Sequence, residues 1–525
     1  MRAGMVVGVL ALIAIGLIGT DCRGLGKEHA AGDSAPVTAT MAAPNPESSS
    51  LPEIPDWTPP TITEKESEAF YGVFILDDKA GWQRTTIASV DWNGAEAVYL
   101  DSELHVNISM LGRSVAQDVV MQVVFDAKGH PLRGHYEISG ALTQIVDALF
   151  EPGQVLWRRQ AGGALRGGAL PVPEGADLTD PDIATRTTKM KVGDERKFVV
   201  FEPTMVQLPE GGYKVEAKDT IEVEGKRHDC FRVVAQLGKT GTMTSWVEEK
   251  TAQIVRSVSD AVGMELRIMD EEKAKEPGAD AEYRPDLAEQ TRVIVDRQID
   301  NPGRAMDLKL RARGIPSEDV LISDARQKWS DVHKGADGSL AATVTVKVPP
   351  VPAEGDLKLP GGPTEFLAST AMIEASDPEI KAEATKILAG GTDPVVAARA
   401  IAQWVNKTVR AEPVGSIRSA REVLDDPRGV CRDYAALYAA IARAAGIPTK
   451  FAAGIVYWNR EGAPGFYYHA WNEVCLDGRH WVAIDSTRPE PWPVDATHVK
   501  FAEGEVGSMT DVLGLIGALK IEVVE

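Results

Sequence analysis

Cysteine is scarce in this 525-residue chain: four residues, at positions 22, 230, 431 and 475. With nine histidines and no CxxC or HxxxH spacing, nothing resembles a Cys/His metal site or a disulfide framework, and no cofactor motif occurs. Positive charge is also in deficit, 56 Lys and Arg against 77 Asp and Glu, a net −21. That balance argues against nucleic acid or an anionic membrane surface as the main partner, since both are polyanions. Long apolar runs are absent apart from one at the N-terminus. What remains is the composition of a soluble globular protein, 44% hydrophobic and 25% charged, long enough for two to four domains.

The one apolar run, Met5 to Ile18, follows Arg2 and has the order of an export signal. It is short for a spanning helix, so residues 1–22 are read as a signal peptide or a membrane anchor. Cys22 resembles the acylated cysteine of a bacterial lipoprotein, although the preceding Gly-Thr-Asp departs from the usual small-residue box. Export to the periplasm or cell envelope is the expected localisation, with membrane attachment through this segment as one form of it. In an oxidising compartment the three cysteines beyond Cys22 leave at least one thiol unpaired unless another chain supplies a mate.

Residues 23–66, rich in Pro, Ala and Ser, are expected to be a disordered linker, too poor in apolar surface to offset the entropy of ordering. Residues 67–272 read as a β-rich antiparallel domain. Leu104, Val106 and Ile108 alternate with His105, Asn107 and Ser109, as in a half-buried strand. "ALTQIVDALF" interrupts the pattern with a short helical period. No catalytic constellation occurs in this region. A charged spacer leads to a small β module, 286–355, where Met306, Leu308 and Leu310 alternate with Asp307, Lys309 and Arg311. "PPVPAEGDLKLPGGP" marks the next boundary, and 365–525 follows with a helical period. Asp377-Pro378 and Asp393-Pro394 read as N-caps with proline at the first helical position, and Ser419…Glu422 as a capping box.

Cys431 then opens an alanine-rich helix, "CRDYAALYAAIARAAGIP", that is apolar almost all round and hence buried. Gly446 and Pro448 terminate it, and Gly429 lets the entering backbone bend tightly. At a helix start the unpaired N–H groups and the positive end of the peptide dipoles favour thiolate over thiol. Downstream, "FYYHAWNEVCL" and "RHWVAID" read as a hairpin. A three-residue loop, Leu476-Asp477-Gly478, with Gly478 left-handed and a bulge, pairs Cys475 with Arg479 and sets His469 directly opposite Asp485. Opposed side chains lie about 5 Å apart at Cβ, within reach of an imidazole–carboxylate hydrogen bond. Cys431, His469 and Asp485 are then nucleophile, base and orienting acid. His480, beside the turn, reads as exposed; Cys475 and Cys230 as inert; Trp471 and Trp481 as wall or core aromatics. The Cys431 N–H is the natural oxyanion donor, with a second sought around Trp404–Asn406.

From "SARE" through "GVCRDYAALYAAIARAAGIP", "YYHAWNEV" and "WVAID" the chain resembles the transglutaminase-like superfamily core in its bacterial exported form, over Asp393 to Pro489. The resemblance implies an α+β papain-like core with the catalytic triad Cys431, His469 and Asp485, which with the antiparallel β-rich N-terminal part read above makes a multidomain protein. It also implies acyl transfer from amide or peptide bonds of a protein or peptide substrate, through a thioester and without a cofactor or calcium. Hydrolysis is favoured over transamidation because water is always abundant and aminolysis needs a site that excludes it. The alternative is a non-catalytic envelope scaffold or peptide-binding protein of the same fold.

Overall fold

Along Ala95–Met110 the alternation buries Leu104 and Val106 at 1% and 2% exposure, with His105 and Asn107 turned outward. Repeated along the chain, this period builds one fourteen-stranded antiparallel sheet. The computed structural model describes residues 51–524 apart from 111, 141–142, 181–182, 184–189, 238–240, 260–262, 279–285, 356–362, 461, 491 and 493. The run Met5–Ile18, Cys22 and residues 23–50 of the expected linker therefore lie outside the described residues. No helix among the described residues is long and apolar enough to cross a membrane.

The sheet is two meanders joined edge to edge. One runs hairpin by hairpin from Ile62–Ile75 out to Ala164–Pro171. The other starts at the far edge with Glu195–Val199 and returns to Met264–Met269, which closes on the first strand through the pairs Phe70↔Met269 to Ile75↔Met264. The stretch expected to be helical is the strand Gln144–Glu151, paired on both sides. Its spacing looked helical because polar residues point inward. Asp147 is buried between Arg133, His135 and Arg158 at 3.0–3.3 Å, so strict alternation is lost while the ladder is kept.

Residues 51–66 differ from the composition-based expectation of a disordered linker. Arg133 and Arg158 donate to the carbonyls of Pro55 (2.8 Å) and Ile54 (3.1 Å), Trp57 donates to Gln122 (2.7 Å), and the first strand begins at Ile62. Arginines half-hidden in a sheet need carbonyl acceptors, and this segment supplies them. A second sheet holds Gln327–Lys334, Leu340–Lys347 and Asp307–Ile315. Its fourth strand, Lys520–Val523, comes from the far end of the chain.

The C-terminal unit carries helices α1 (Pro378–Leu388), α2 (Pro394–Thr408), α3 (Ala420–Asp425) and α4 (Cys431–Ala444). Their starts match the sequence signals. Asp377 accepts from the N–H groups of Glu379 and Ile380, Asp393 from those of Val395 and Val396, and Ser419 with Glu422 forms a capping box. Strands β1 (Thr449–Trp458), β2 (Gly465–Cys475), β3 (Trp481–Ile484) and β4 (Val499–Gly504) form an antiparallel sheet in the order β3-β2-β1-β4. α4 lies on its face, where Asn472 of β2 donates to the Ala435 carbonyl at 3.1 Å.

The large sheet meets this unit through buried polar contacts. Arg159 grips Glu422 with two bonds, Nε to Oε1 (2.8 Å) and Nη2 to Oε2 (2.9 Å), and Gln144 adds a bond to Glu422 at 3.1 Å. Nearby, Glu374 lies between Arg166 (3.3 Å) and the Arg421 N–H (3.0 Å). Burial outweighs Arg166 there, and with Glu422 close by the Glu374 carboxyl is pushed up to about 7. The folded state thus holds this proton more tightly than the unfolded chain. The associated stability is full below the unfolded value of 4.5 and is lost as pH rises through about 7. Glu374→Gln is expected to gain about 3 kcal/mol relative to the parent between pH 4 and pH 8. Urea unfolding at both pH values checks this, and a gap that does not change with pH would refute it.

Candidate active site

The first turn of α4 is held by charge, although the helix is buried along its length from Cys431 to Arg443. The Val430 N–H donates to Asp433 Oδ2 (2.8 Å), and Arg418 Nε meets Asp433 Oδ1 (3.2 Å) with both side chains fully buried. Arg432 reaches back to the carbonyls of Val414 (2.9 Å) and Ser416 (3.2 Å). These bonds anchor the helix start that carries the thiol, and the Val430 N–H is the backbone donor they satisfy. Gly429 serves a purpose different from the expected bend: a Cβ there would lie 2.5 Å from the Asp433 side chain, so the position is small to admit the capping carboxylate. At the other end Gly446 takes the left-handed conformation, φ 84°, as the sequence implies.

β2 brings the imidazole. His469 pairs with Gly454 across the sheet, a glycine that lets β4 approach β1 closely. The His469 ring packs between Trp471, stacked at 6.2 Å, and Trp458, edge-on at 5.6 Å. Its Nε2 lies 3.1 Å from Asp485 Oδ2, and its Nδ1 is buried with no hydrogen-bond partner.

The register that delivers this contact is not the expected one. Cys475 pairs with Trp481 rather than Arg479, the loop runs over residues 476–480, and Asn472 faces Ile484. Asp485 therefore falls just past the end of β3 and reaches His469 diagonally rather than from directly opposite. The physical reason lies in Asp477. Its carboxylate accepts from the N–H groups of Arg479 (2.9 Å) and His480 (2.7 Å), closing a wider turn than a bulged hairpin. Because the shift is two residues, the side-chain faces are unchanged and the two groups still meet. Gly478 is left-handed as expected, φ 78°.

Cys431, His469 and Asp485 are exposed by only 0%, 0% and 1%. Burial opposes charge on the imidazole, yet Asp485 and Cys431 outweigh it and push His469 up to about 9. Burial likewise opposes the Asp485 carboxylate, and His469, His498 and Arg488 together hold it well below the usual range. Asp485 Oδ1 accepts from the N–H (3.0 Å) and hydroxyl (2.7 Å) of Thr487, which fixes the plane of the carboxylate.

The other candidates separate cleanly. The His480 side chain is 73% exposed and bound to Asp477. Cys475 and Cys230 are buried; burial raises both thiols, Cys230 to about 12. Trp471 is a core aromatic against His469, while Trp481 is half-buried with Lys450 over its ring at 4.3 Å. The Asn406 amide is committed to the Ser486 carbonyl at 3.0 Å, beside Asp485.

Sequence reasoning missed His498, Asp495 and Arg488, which gather behind Asp485. A signal existed: Asp485-Ser-Thr487 and Asp495-Ala-Thr497 share an Asp-x-Thr pattern, and each aspartate accepts from its own threonine N–H and hydroxyl. Among the described residues two clusters have metal-ligand spacing, His469–Asp485–His498 and Asp324–Glu473–Glu503. In each a protein cation already occupies the carboxylates. Arg488 Nε lies 3.3 Å from Asp485 Oδ2, and Lys500 Nζ lies 2.5–2.7 Å from Asp324, Glu473 and Glu503.

Comparison with known proteins gives one family match: the sequence model of the transglutaminase-like superfamily matches residues 381–486. No curated protein matches. A solved structure described as a "putative cysteine protease" from Cytophaga hutchinsonii is 20% identical, covering 42% of this chain and 86% of that one at a TM-score of 0.28. A "putative protease" from Parabacteroides distasonis is 11% identical, covering 70% and 69%, at a TM-score of 0.19. On the family match, this chain carries a transglutaminase-like superfamily domain over residues 381–486.

Proposed function

We propose that the chain is a cysteine-dependent acyl-transfer enzyme acting on amide or peptide bonds of a protein or peptide substrate, with Cys431, His469 and Asp485 as its triad. One observation carries the reading: a buried imidazole whose Nε2 is held by a carboxylate at 3.1 Å and whose Nδ1 is left without a partner, with Cys431 acting on the same ring. Nδ1 is the atom available for the thiol proton. The thiol proton passes to Nδ1, and Cys431 Sγ then adds as thiolate to the carbonyl carbon, whose π electrons move to the oxygen. The C–N bond breaks as that proton goes to the leaving amine, and a thioester remains. Water or a second amine then adds to the thioester, gives its proton to Nδ1, and the thiolate departs. The first-turn N–H of Cys431 is the donor placed for the oxyanion. Hydrolysis is the favoured second step, transamidation the other arm. Export and attachment through the N-terminal apolar run belong to the same proposal, with envelope protein or peptide as substrate.

The test is alkylation of the native and urea-unfolded protein by iodoacetamide, read by peptide mass, with Cys431→Ala identifying the site. At pH 6 an unassisted thiol of pKa about 8.5 is under ~1% thiolate. The native protein is expected to label at Cys431 at least ~10-fold faster than the unfolded chain. The advantage should shrink about tenfold per pH unit above pH 6 and vanish near pH 8.5, where the unfolded thiol itself ionises. Equal rates in both states at pH 6 favour the non-catalytic scaffold.

A further inference from the structure

Behind Asp485 sits a second histidine that none of the sequence motifs includes. His498 is fully buried, one residue before β4. Its Nε2 lies 3.3 Å from Asp485 Oδ2 and its Nδ1 3.4 Å from Asp495 Oδ1. The ring stands edge-on to His469, centroids 5.7 Å apart, and to Trp471 at 5.3 Å. The backbone around it is pinned by Arg326, fully inside the fold, which donates to the carbonyls of Val494 (3.0 Å), Asp495 and His498 (3.4 Å). An apolar ring would fill this space without hiding two polar nitrogens, so packing alone does not account for an imidazole here.

The charged and titratable groups facing His498 are Asp485, Asp495, His469 and Arg488, with Arg326 on its carbonyl. Burial, reinforced by Arg488, lowers its affinity for a second proton. A neutral ring has one N–H to give. Asp495 is already served by Thr497 and Arg488, whereas Asp485 Oδ2 is the atom that must hold His469.

We propose that His498 is a positioning residue of the acyl-transfer site: its Nε2–H, donated to Asp485 Oδ2, holds the carboxylate in the orientation that accepts His469 Nε2–H and leaves Nδ1 toward the thiol. With Thr487 on Oδ1 and His498 on Oδ2, rotation of the carboxyl group about its bond breaks a hydrogen bond on either side. Remove His498 and Oδ2 keeps only His469 and the longer Arg488 contact at 3.3 Å, so the carboxylate is held less firmly on that side. The imidazolium is then less well held, and it stabilises the thiolate it faces less. The inference rests on the triad reading above.

The experiment compares the full chain with His498→Ala, His498→Phe and His498→Gln, measuring iodoacetamide alkylation of Cys431 at pH 6 and pH 10, alongside thermal unfolding. Outer partners of a functional histidine act over about 10–100-fold. Ala and Phe are expected to slow labelling at pH 6 by about 10-fold or more and to leave the rate at pH 10, where an ordinary thiol of pKa about 8.5 is ionised, unchanged. Gln keeps an N–H donor and should stay within about 3-fold of the parent at pH 6. A purely structural role moves both pH values together and does not separate Phe from Gln. Phe fills the ring volume, so it decides the matter even where Ala does not fold. Parental rates at pH 6 in Ala or Phe, or a Gln variant as slow as Phe, would overturn the assignment while leaving the triad standing. A parent protein with no advantage at pH 6 over its unfolded form would overturn the triad reading, and this assignment with it.

Discussion

Asp485→Asn is expected to lower acyl transfer by about 10⁴-fold with the fold intact, because it turns the base the wrong way round. Thr487 donates twice to Oδ1, from its N–H (3.0 Å) and its hydroxyl (2.7 Å), so the asparagine carbonyl must take that place. The amide NH₂ then occupies the Oδ2 position, 3.1 Å from His469 Nε2. An NH₂ group there can only donate. His469 must answer with a bare Nε2, which puts the ring proton on Nδ1, the atom that receives the thiol proton in the proposed mechanism. Hydrolysis of p-nitrophenyl acetate by the parent, Asp485→Asn and Cys431→Ala proteins measures the effect. The asparagine variant should fall nearly to the cysteine-free level at pH 7, with an unfolding midpoint close to that of the parent. A loss of less than ~10-fold would mean that the His469–Asp485 bond does not set the tautomer.

Glu422→Ala is expected to cost about 3–5 kcal/mol of unfolding free energy, the range for leaving a buried charge without its partner. Glu422 and Arg159 have side chains only 1% and 3% exposed, and their paired bonds tie the large sheet to the cap of α3. The same carboxylate accepts from Gln144 and from the Ser419 N–H, so one truncation unties the sheet contact and the capping box together. α3 leads directly into the loop that sets the first turn of α4. Loss of labelling at Cys431 is therefore expected to track unfolding of this junction in urea. Replacing both members, Arg159→Met with Glu422→Leu, should recover part of the stability, since no charge is then stranded although the Glu422 half of the capping box stays lost. If the double variant is as unstable as Glu422→Ala, the ion pair is not what the junction depends on.

How much of this was legible depends on how local the deciding interaction is. Asp377, Asp393 and Ser419 act on N–H groups two or three residues away, and their helices begin where the sequence says. Gly446 and Gly478 adopt left-handed backbone where Cβ-bearing residues would be strained, and both were readable. Gln144–Glu151 misled because Asp147 faces inward, and only Arg133, His135 and Arg158 on neighbouring strands make that tolerable. The β2–β3 hairpin lies between these cases. Side-chain parity, which places His469 and Asp485 on one face, follows from the two-residue repeat of a strand. The register itself was set by Asp477 bonding to Arg479 and His480, a preference that competing turn types conceal.

By itself the sequence determined that a cysteine opens a buried helix, that a histidine and an aspartate share one face of a following hairpin, and that a long β-rich region precedes them. Each follows from repeats and caps that act within a few residues. Only the tertiary structure decided that Asp485 reaches His469 diagonally, that His498 stands behind it, and that Arg159 of the large sheet closes the cap leading to Cys431. Those contacts join residues 13 to 263 positions apart, and no local periodicity can signal a partner that only the folding of the chain brings within hydrogen-bond reach.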